Sequence, residues 1–278
     1  MRINKTIYTI FKKGSKTYFY STVFFPKVVK RDVFTLYSFL RKADDYVDAI
    51  PQDAESFYAF KDRYADAKKG SITGDVVIDS FRELAIRKNF DEGWINAFLD
   101  SMEMDIYKST YKDMEELKNY LFGSSEVVGL FMAKIMDLEK KSYDGARNLG
   151  RSMQYINFIR DISEDIDLGR VYFPQEDLEE FQLENLEENI TKSNPENFKA
   201  FIRKQLQTYQ SWQTEAEKAF PYIPYRCLIP IKTASDMYNW TATQIEKDPF
   251  IVYKKKVKPS TPKIVLNVFS NSVSIPFK

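Results

Sequence analysis

Histidine is absent from this 278-residue sequence, and Cys227 is its only cysteine. The first absence excludes an imidazole general base, a Ser-His-Asp triad and His-ligated zinc. The second excludes disulfides within the chain and cysteine-cluster zinc sites. A charge excess is missing too: 41 basic residues face 40 acidic ones, for a net charge of +1. Without a basic excess there is no case for a nucleic-acid partner. No apolar stretch is long enough for a spanning helix or a signal peptide. The opening MRINKTIYTIFKKGSK has no sustained apolar run, and Lys134 interrupts the one that follows Val127. A cytoplasmic protein is expected.

What remains for chemistry is carboxylates, hydroxyls, amides, lysine and arginine, an inventory that suits a hard, oxygen-liganded metal. The hydrophobic content of 44% is enough for a sizeable core, and 22 Phe and 18 Tyr would fill it well. Only 9 glycines and 11 prolines punctuate the chain. Strand-like alternation is sparse, and the segments between breakers carry helical spacing. Helices are expected over residues 31–49, 53–69, 76–88, 91–106, 112–137, 142–167, 195–219 and 225–247. Residues 168–194 read as irregular and acidic, and a lysine-rich tail follows Pro249. One all-α domain over 1–278 is the simplest organisation.

Two carboxylate clusters stand out. In LRKADDYVD, Asp44 and Asp48 are four apart and share a helix face with Arg41. Like charges at that spacing disfavour a helix by roughly 0.2–0.5 kcal/mol, a penalty that a cation between them would reverse. In QYINFIRDISED, Gln154, Asn157, Asp161 and Asp165 are spaced by three, four and four, in one narrow stripe. Ile156, Ile159, Ile162 and Ile166 lie opposite, as a packing face. Amides in register with acids make an oxygen-rich strip. An EF-hand is a poor explanation, because position six of a loop starting at Asp161 would be Ile166 where glycine is required. Mg²⁺, which takes one or two carboxylates and completes its shell with phosphate oxygens and water, suits the two pairs. Exposed acidic helix faces are the plain alternative for each cluster alone.

These segments, in order, resemble the squalene/phytoene synthase family. GSKTYFYSTVFFP at 14–26 is similar to that family's opening Ser-x-Ser/Thr-Phe segment, and LYSFLRKADDYVD at 36–48 to its first Asp-rich motif. YLFGSSEVVG at 120–129 resembles its Tyr-x-x-x-x-Ala-Gly-x-Val-Gly segment, and QYINFIRDISEDIDLGRVYFP at 154–174 its second Asp-rich stretch with the following Arg-x-Tyr-x-Pro. The chain departs at Ser125 and Glu126, which stand where Ala-Gly is usual, and at Leu40, where Cys is frequent. An acid at 126 would lie beside a carbocation pocket.

The resemblance implies an isoprenoid-synthase helical bundle with a central apolar cavity, joining two prenyl diphosphates head to head through a cyclopropyl intermediate. It implies Mg²⁺ held by Asp44, Asp48, Asn157, Asp161 and Asp165. The diphosphate would be met by Ser15, Thr17, Arg41, Gln154, Asn157, Arg160 and, from a basic segment, Lys254, Lys255 and Lys256. Tyr120, Arg160, Tyr172 and Tyr238 are candidates for cation stabilisation or proton transfer. Tyr18 and Thr22, one helical turn apart, would border the prenyl tail, and the small Thr22 tilts the choice towards geranylgeranyl diphosphate and phytoene. Farnesyl diphosphate, giving dehydrosqualene, or squalene if NADPH delivers hydride, is the alternative. A terpene cyclase, a head-to-tail chain elongator and a non-catalytic helical scaffold remain as rivals. A monomer or weak homodimer is expected, with transient contact at a membrane surface because the product is greasy.

Overall fold

The computed structural model describes residues 3–275; the side chains of Lys16, Thr17 and Val23 lie outside the described set. Among the described residues there is no named strand, and sixteen α-helices follow in order. The first three are α1 (Lys5–Gly14), α2 (Lys16–Ser21) and α3 (Lys27–Val47). Then come α4 (Ala54–Lys68), α5 (Val76–Lys88), α6 (Glu92–Tyr107), α7 (Met114–Leu121) and α8 (Val127–Ile135). The second Asp-rich stretch is α9 (Tyr143–Arg160) and α10 (Ile162–Asp167), followed by the short α11 (Gln175–Glu180) and α12 (Glu188–Ser193). The chain ends with α13 (Pro195–Glu217), α14 (Tyr225–Lys247), α15 (Ile251–Lys254) and α16 (Thr261–Ser274). The all-helical expectation holds.

Local chemistry explains where these helices begin. Asn4, Ser15, Asp53, Asp75, Asp91 and Asp113 each accept a backbone N–H from the first turn that follows, and each such cap is worth about 1 kcal/mol. α13 starts on Pro195, whose missing N–H costs nothing there.

The elements differ from the expectations in several places. α1 and α2 precede the first expected helix, and α3 begins at Lys27 rather than at residue 31. Residues 168–194 are not simply irregular, because α11 and α12 lie within them. The tail after Pro249 is not simply a tail, because it contains α15 and α16. The expected helix at 112–137 is interrupted at Phe122–Glu126 by a π turn, in which the Val127 N–H reaches back five residues to the Phe122 carbonyl. The expected helix at 142–167 bends at Asp161, whose backbone (φ −102°, ψ 15°) leaves the helical region. The Asp161 N–H still bonds Asn157 O at 2.8 Å and the Asp165 N–H bonds Asp161 O at 2.8 Å, so the strip continues through the bend.

Two aromatic-rich cores flank the Asp-bearing helices. On one side Phe39 of α3 stacks on Phe81 of α5, with centroids 3.7 Å apart. On the other, Ile156 and Ile159 of α9 are fully buried in a cluster with Phe201 and Ile202 of α13. α9 also approaches the π turn and α8 closely. A Cβ on Gly129 would sit 2.0 Å from Ala146 O, and one on Gly150 would sit 2.2 Å from Ser125 O. Only glycine lets these backbones meet.

Candidate active site

A cavity of about 830 Å³ opens between α3, α6, α9 and α14. Its walls are of two kinds. Phe25, Leu36, Phe98, Met102, Met132 and Leu149 are among the apolar lining, while Asp44, Asp48, Asp105, Asp161 and Asp165 bring five acids to the same space. The α3 contribution follows from its period: Tyr37, Arg41, Asp44 and Asp48 face the cavity, and Phe39, Ala43 and Val47 are buried behind. On α9 and α10, Met153, Gln154, Asn157, Asp161 and Asp165 line it, and the isoleucines pack away from it.

Three of these acids, Asp44, Asp48 and Asp161, are paired with cations. Arg41 donates to Asp44 at 2.8 Å and to Asp45 at 2.5 Å. Arg160 grips Asp161 through Nε at 2.7 Å and Nη2 at 2.5 Å, and Lys256 Nζ lies 3.1 Å from the same carboxylate. Arg170, almost fully buried, donates to Asp48 at 2.8 Å and to the Val47 carbonyl at 2.6 Å. The pairing is incomplete in effect. Burial and then the neighbouring Asp48 push the Asp44 carboxyl up to about 7, although Arg41 opposes them. Burial, followed by Asp161 and Asp48, also raises Asp165 well above the usual carboxylate range. Both sites would gain from a further positive charge.

The donor set fits a hard cation. The Asn157 side-chain carbonyl is buried in the cavity wall with no hydrogen-bond partner among the described residues, an acceptor left over beside Asp161. Among the described residues no three acidic side chains converge on one point. Each aspartate pair would thus share its ion with oxygens from elsewhere, as Mg²⁺ does with phosphates.

The other expected residues divide. Ser15, Tyr18, Thr22, Tyr120, Gln154, Arg160, Tyr172, Tyr238 and Lys256 all line the cavity. Ser15 is also the cap of α2, accepting from the Tyr18 N–H at 3.2 Å. The Tyr18 and Tyr238 hydroxyls meet at 2.9 Å, joining α2 to α14. Lys254 and Lys255 are not in the lining: Lys254 pairs with Asp248 at 2.9 Å on the exposed surface, and Lys255 is exposed. Lys258, which was not among the expected residues, lines the cavity beside Lys256. The Thr17 side chain lies outside the described residues.

Glu126 does not enter the cavity. It is buried on the far side of the π turn, where it accepts from Arg147 Nε at 2.8 Å and from Arg151 Nε at 2.7 Å. Arg147 lies over the Phe122 ring and Arg151 over Trp212, so the clamp ties the π turn to α9 and α13. Both arginines reach solvent, so their release is partly compensated. Replacing Glu126 by alanine is therefore expected to lower stability by about 1–2 kcal/mol, seen as a lower melting temperature, while turnover well below that temperature stays near wild type.

Sequence reasoning missed Asp105. This acid of α6 is buried, accepts from Tyr120 OH at 2.8 Å and from Tyr172 OH at 2.8 Å, and has its carboxyl pushed up to about 6 by burial. Tyr172 also stacks on Phe158 with centroids 4.2 Å apart. The available signal was its register: of the acids of α6 beyond its first turn, Asp105 alone falls on the face of Ile95, Phe98, Leu99 and Met102.

Comparison with known proteins agrees with this geometry. Residues 11–263 match the family model described as squalene/phytoene synthase. The chain is 26% identical to a 15-cis-phytoene synthase of Enterobacter agglomerans over 94% of this chain and 92% of that one. It is 24% identical to the corresponding protein of Synechocystis, over 91% and 79%. Its fold is similar to the crystal structure of a dehydrosqualene synthase, with TM-score 0.83 and 21% identity over 96% and 94% of the two chains. A squalene synthase from Alicyclobacillus acidocaldarius superposes with TM-score 0.77 at 19% identity, over 88% and 94%. With aspartates of α3 and α10 and of the turns that follow α3 and α9 facing one apolar cavity, and a family match spanning nearly the whole chain, this protein belongs to the squalene/phytoene synthase family.

Proposed function

We propose that this chain joins two geranylgeranyl diphosphates head to head, through a cyclopropyl diphosphate, to give phytoene. The observation that carries the reading is one cavity with an oxygen-rich, cation-lined wall and a long apolar one. The named phytoene synthases among its sequence relatives support the choice of product.

Asp44, Asp48, Asn157, Asp161 and Asp165 are the residues that would hold Mg²⁺. Such ions, when bound, supply Lewis-acid neutralisation of charge on a departing diphosphate. The chain's own side chains account for the rest. Arg41, Arg160, Lys256 and Lys258 offer charged donors to diphosphate oxygens, and Ser15 and Gln154 offer neutral ones. Lys258, whose pKa burial and then Lys256 lower, gains most from an anion beside it. The hydroxyl hydrogens of Tyr120 and Tyr172 are committed to Asp105, so these residues offer the cavity ring faces and oxygen lone pairs. Those faces favour a carbocation, and the apolar wall keeps water from it. Formation of phytoene needs no hydride, so NADPH has no part in this reading.

The test is incubation with Mg²⁺ and geranylgeranyl or farnesyl diphosphate, with and without NADPH, followed by mass spectrometry of the hexane extract. Phytoene from the longer substrate, indifferent to NADPH, is expected. Squalene or dehydrosqualene alone would replace the substrate assignment, and no hydrocarbon from either would overturn the function. Chain length has its own test at Thr22, buried in the lining with its hydroxyl on Phe19 O at 2.8 Å. Thr22→Phe fills space along the prenyl path and is expected to lower turnover of geranylgeranyl relative to farnesyl diphosphate by roughly tenfold. An unchanged ratio of products in a competition assay would remove Thr22 from the chain-length determinants.

A further inference from the structure

All 40 acidic residues of the chain fall between residues 32 and 248. Residues 1–31 carry eight Lys or Arg and residues 249–278 carry six, with no acid in either segment. The fold brings these two segments together, since α16 and α2 pack against each other. Both also reach the cavity: Lys13, Ser15 and Tyr18 line it from one segment, and Lys256, Lys258 and Thr261 from the other. Thr261 is the first residue of α16.

α16 has two apolar faces. Ile264 and Val268 are buried, and Asn271 fastens the helix to α14 through Asp236 at 2.8 Å. On the other side Leu266, Phe269 and Val273 are 71%, 67% and 80% exposed, with Val265 beside them at 47%. At about 100° per residue these four fall within an arc of about 100°, opposite the packed face. A firmly anchored helix that presents an aliphatic and aromatic stripe to solvent, on terminal segments that contribute lysines and no acids, fits the interface of an anionic bilayer. A second copy of the chain fits poorly, because it would bring the lysine-rich terminal segments of two chains together.

We propose that the outer face of α16 docks on anionic lipid, with the stripe from Val265 to Val273 entering the acyl boundary and exposed lysines of the two terminal segments, such as Lys12, Lys13, Lys27 and Lys255, meeting the headgroups. Docking there sets a bilayer beside the segments that line the cavity, where prenyl chains could enter and hydrocarbon leave. That benefit rests on the prenyl-lipid reading of the site, whereas the docking itself does not. The experiment uses no catalysis, so the two can fail separately.

The full chain is sedimented with vesicles of phosphatidylcholine alone, and with vesicles of equal phosphatidylcholine and phosphatidylglycerol, at low and high salt. Binding to the anionic vesicles, weakened by salt, is expected. The double variant Leu266→Ser/Phe269→Ser should bind at least about tenfold more weakly, with an unchanged melting temperature because both side chains are exposed. Phe269→Trp supplies a second readout: its added fluorescence should shift to the blue only when anionic vesicles are present. Absence of binding to anionic vesicles, or equal binding by the double variant, would overturn the proposal. So would a wild-type dimer that the same double variant dissolves, since a second copy would then cover the stripe.

Discussion

Asp165→Asn is expected to lower kcat by roughly a thousandfold or more while leaving the melting temperature unchanged or slightly higher. The two halves of this expectation have separate causes. In the fold the Asp165 carboxylate is held against burial and against Asp161 and Asp48, so the isosteric neutral amide removes an unfavourable charge rather than a support. In the working enzyme the same charge would be one of the hard ligands that neutralise a leaving diphosphate, and an amide is a poorer ligand for Mg²⁺. Steady-state turnover and a thermal melt on the same preparation check both halves. A variant with kcat within tenfold of wild type would remove Asp165 from the ion-binding set. A large fall in melting temperature would mean that the strip is structural.

Gly150→Ala is expected to have the largest effect on stability. Alanine is the better helix former by about 1 kcal/mol, so propensity alone predicts a gain. Packing reverses the sign. The new Cβ would lie 2.2 Å from Ser125 O and 2.9 Å from Ser125 C, atoms of the π-turn backbone that cannot swing aside. Separating α9 from that backbone is expected to cost about 3 kcal/mol net, or about 10 °C in melting temperature for a chain of this size. Activity should fall further than the lost stability explains, because Gln154 and Asn157 follow on the same helix. Gly129→Ala would press on the same helix pair through Ala146 O, so the double variant should lose less than the sum of the two. Differential scanning calorimetry of the three variants measures this directly; full additivity would mean that the two contacts are independent.

The Asp-bearing helices were legible because their signal is periodic. Asp44 and Asp48, and then Gln154, Asn157, Asp161 and Asp165, repeat at three and four residues, and a regular helix puts such residues on one face. What was not legible depends on partners far along the chain or on departures from a constant helical angle. Asp105 becomes notable only through Tyr172, which is 67 positions away. Glu126 reads as an intruder beside the cavity until the π turn shifts the helical phase and turns it towards Arg147 and Arg151. The run Lys254–Lys256 suggested one basic cluster, but only Lys256 reaches the site, because α15 ends at Lys254 and the extended backbone at Lys255 (φ −168°, ψ 150°) changes the direction of the side chains. α16 was hidden because lysines dominate the composition of its approach, and its Ile264, Val268 and Asn271 period is short.

The cations seated on the aspartates give the proposed site a further property. Arg41, Arg160 and Lys256 occupy carboxylates that a metal ion would take, and the same three would serve a diphosphate. An ion arriving alone must displace them and leave them without a counter-charge; an anion arriving alone must draw them from the acids and leave the acids bare. When both arrive, each satisfies what the other uncovers. Were both to bind as proposed, metal and diphosphate would be thermodynamically linked, each raising the affinity for the other by the same factor, and either one alone would bind weakly.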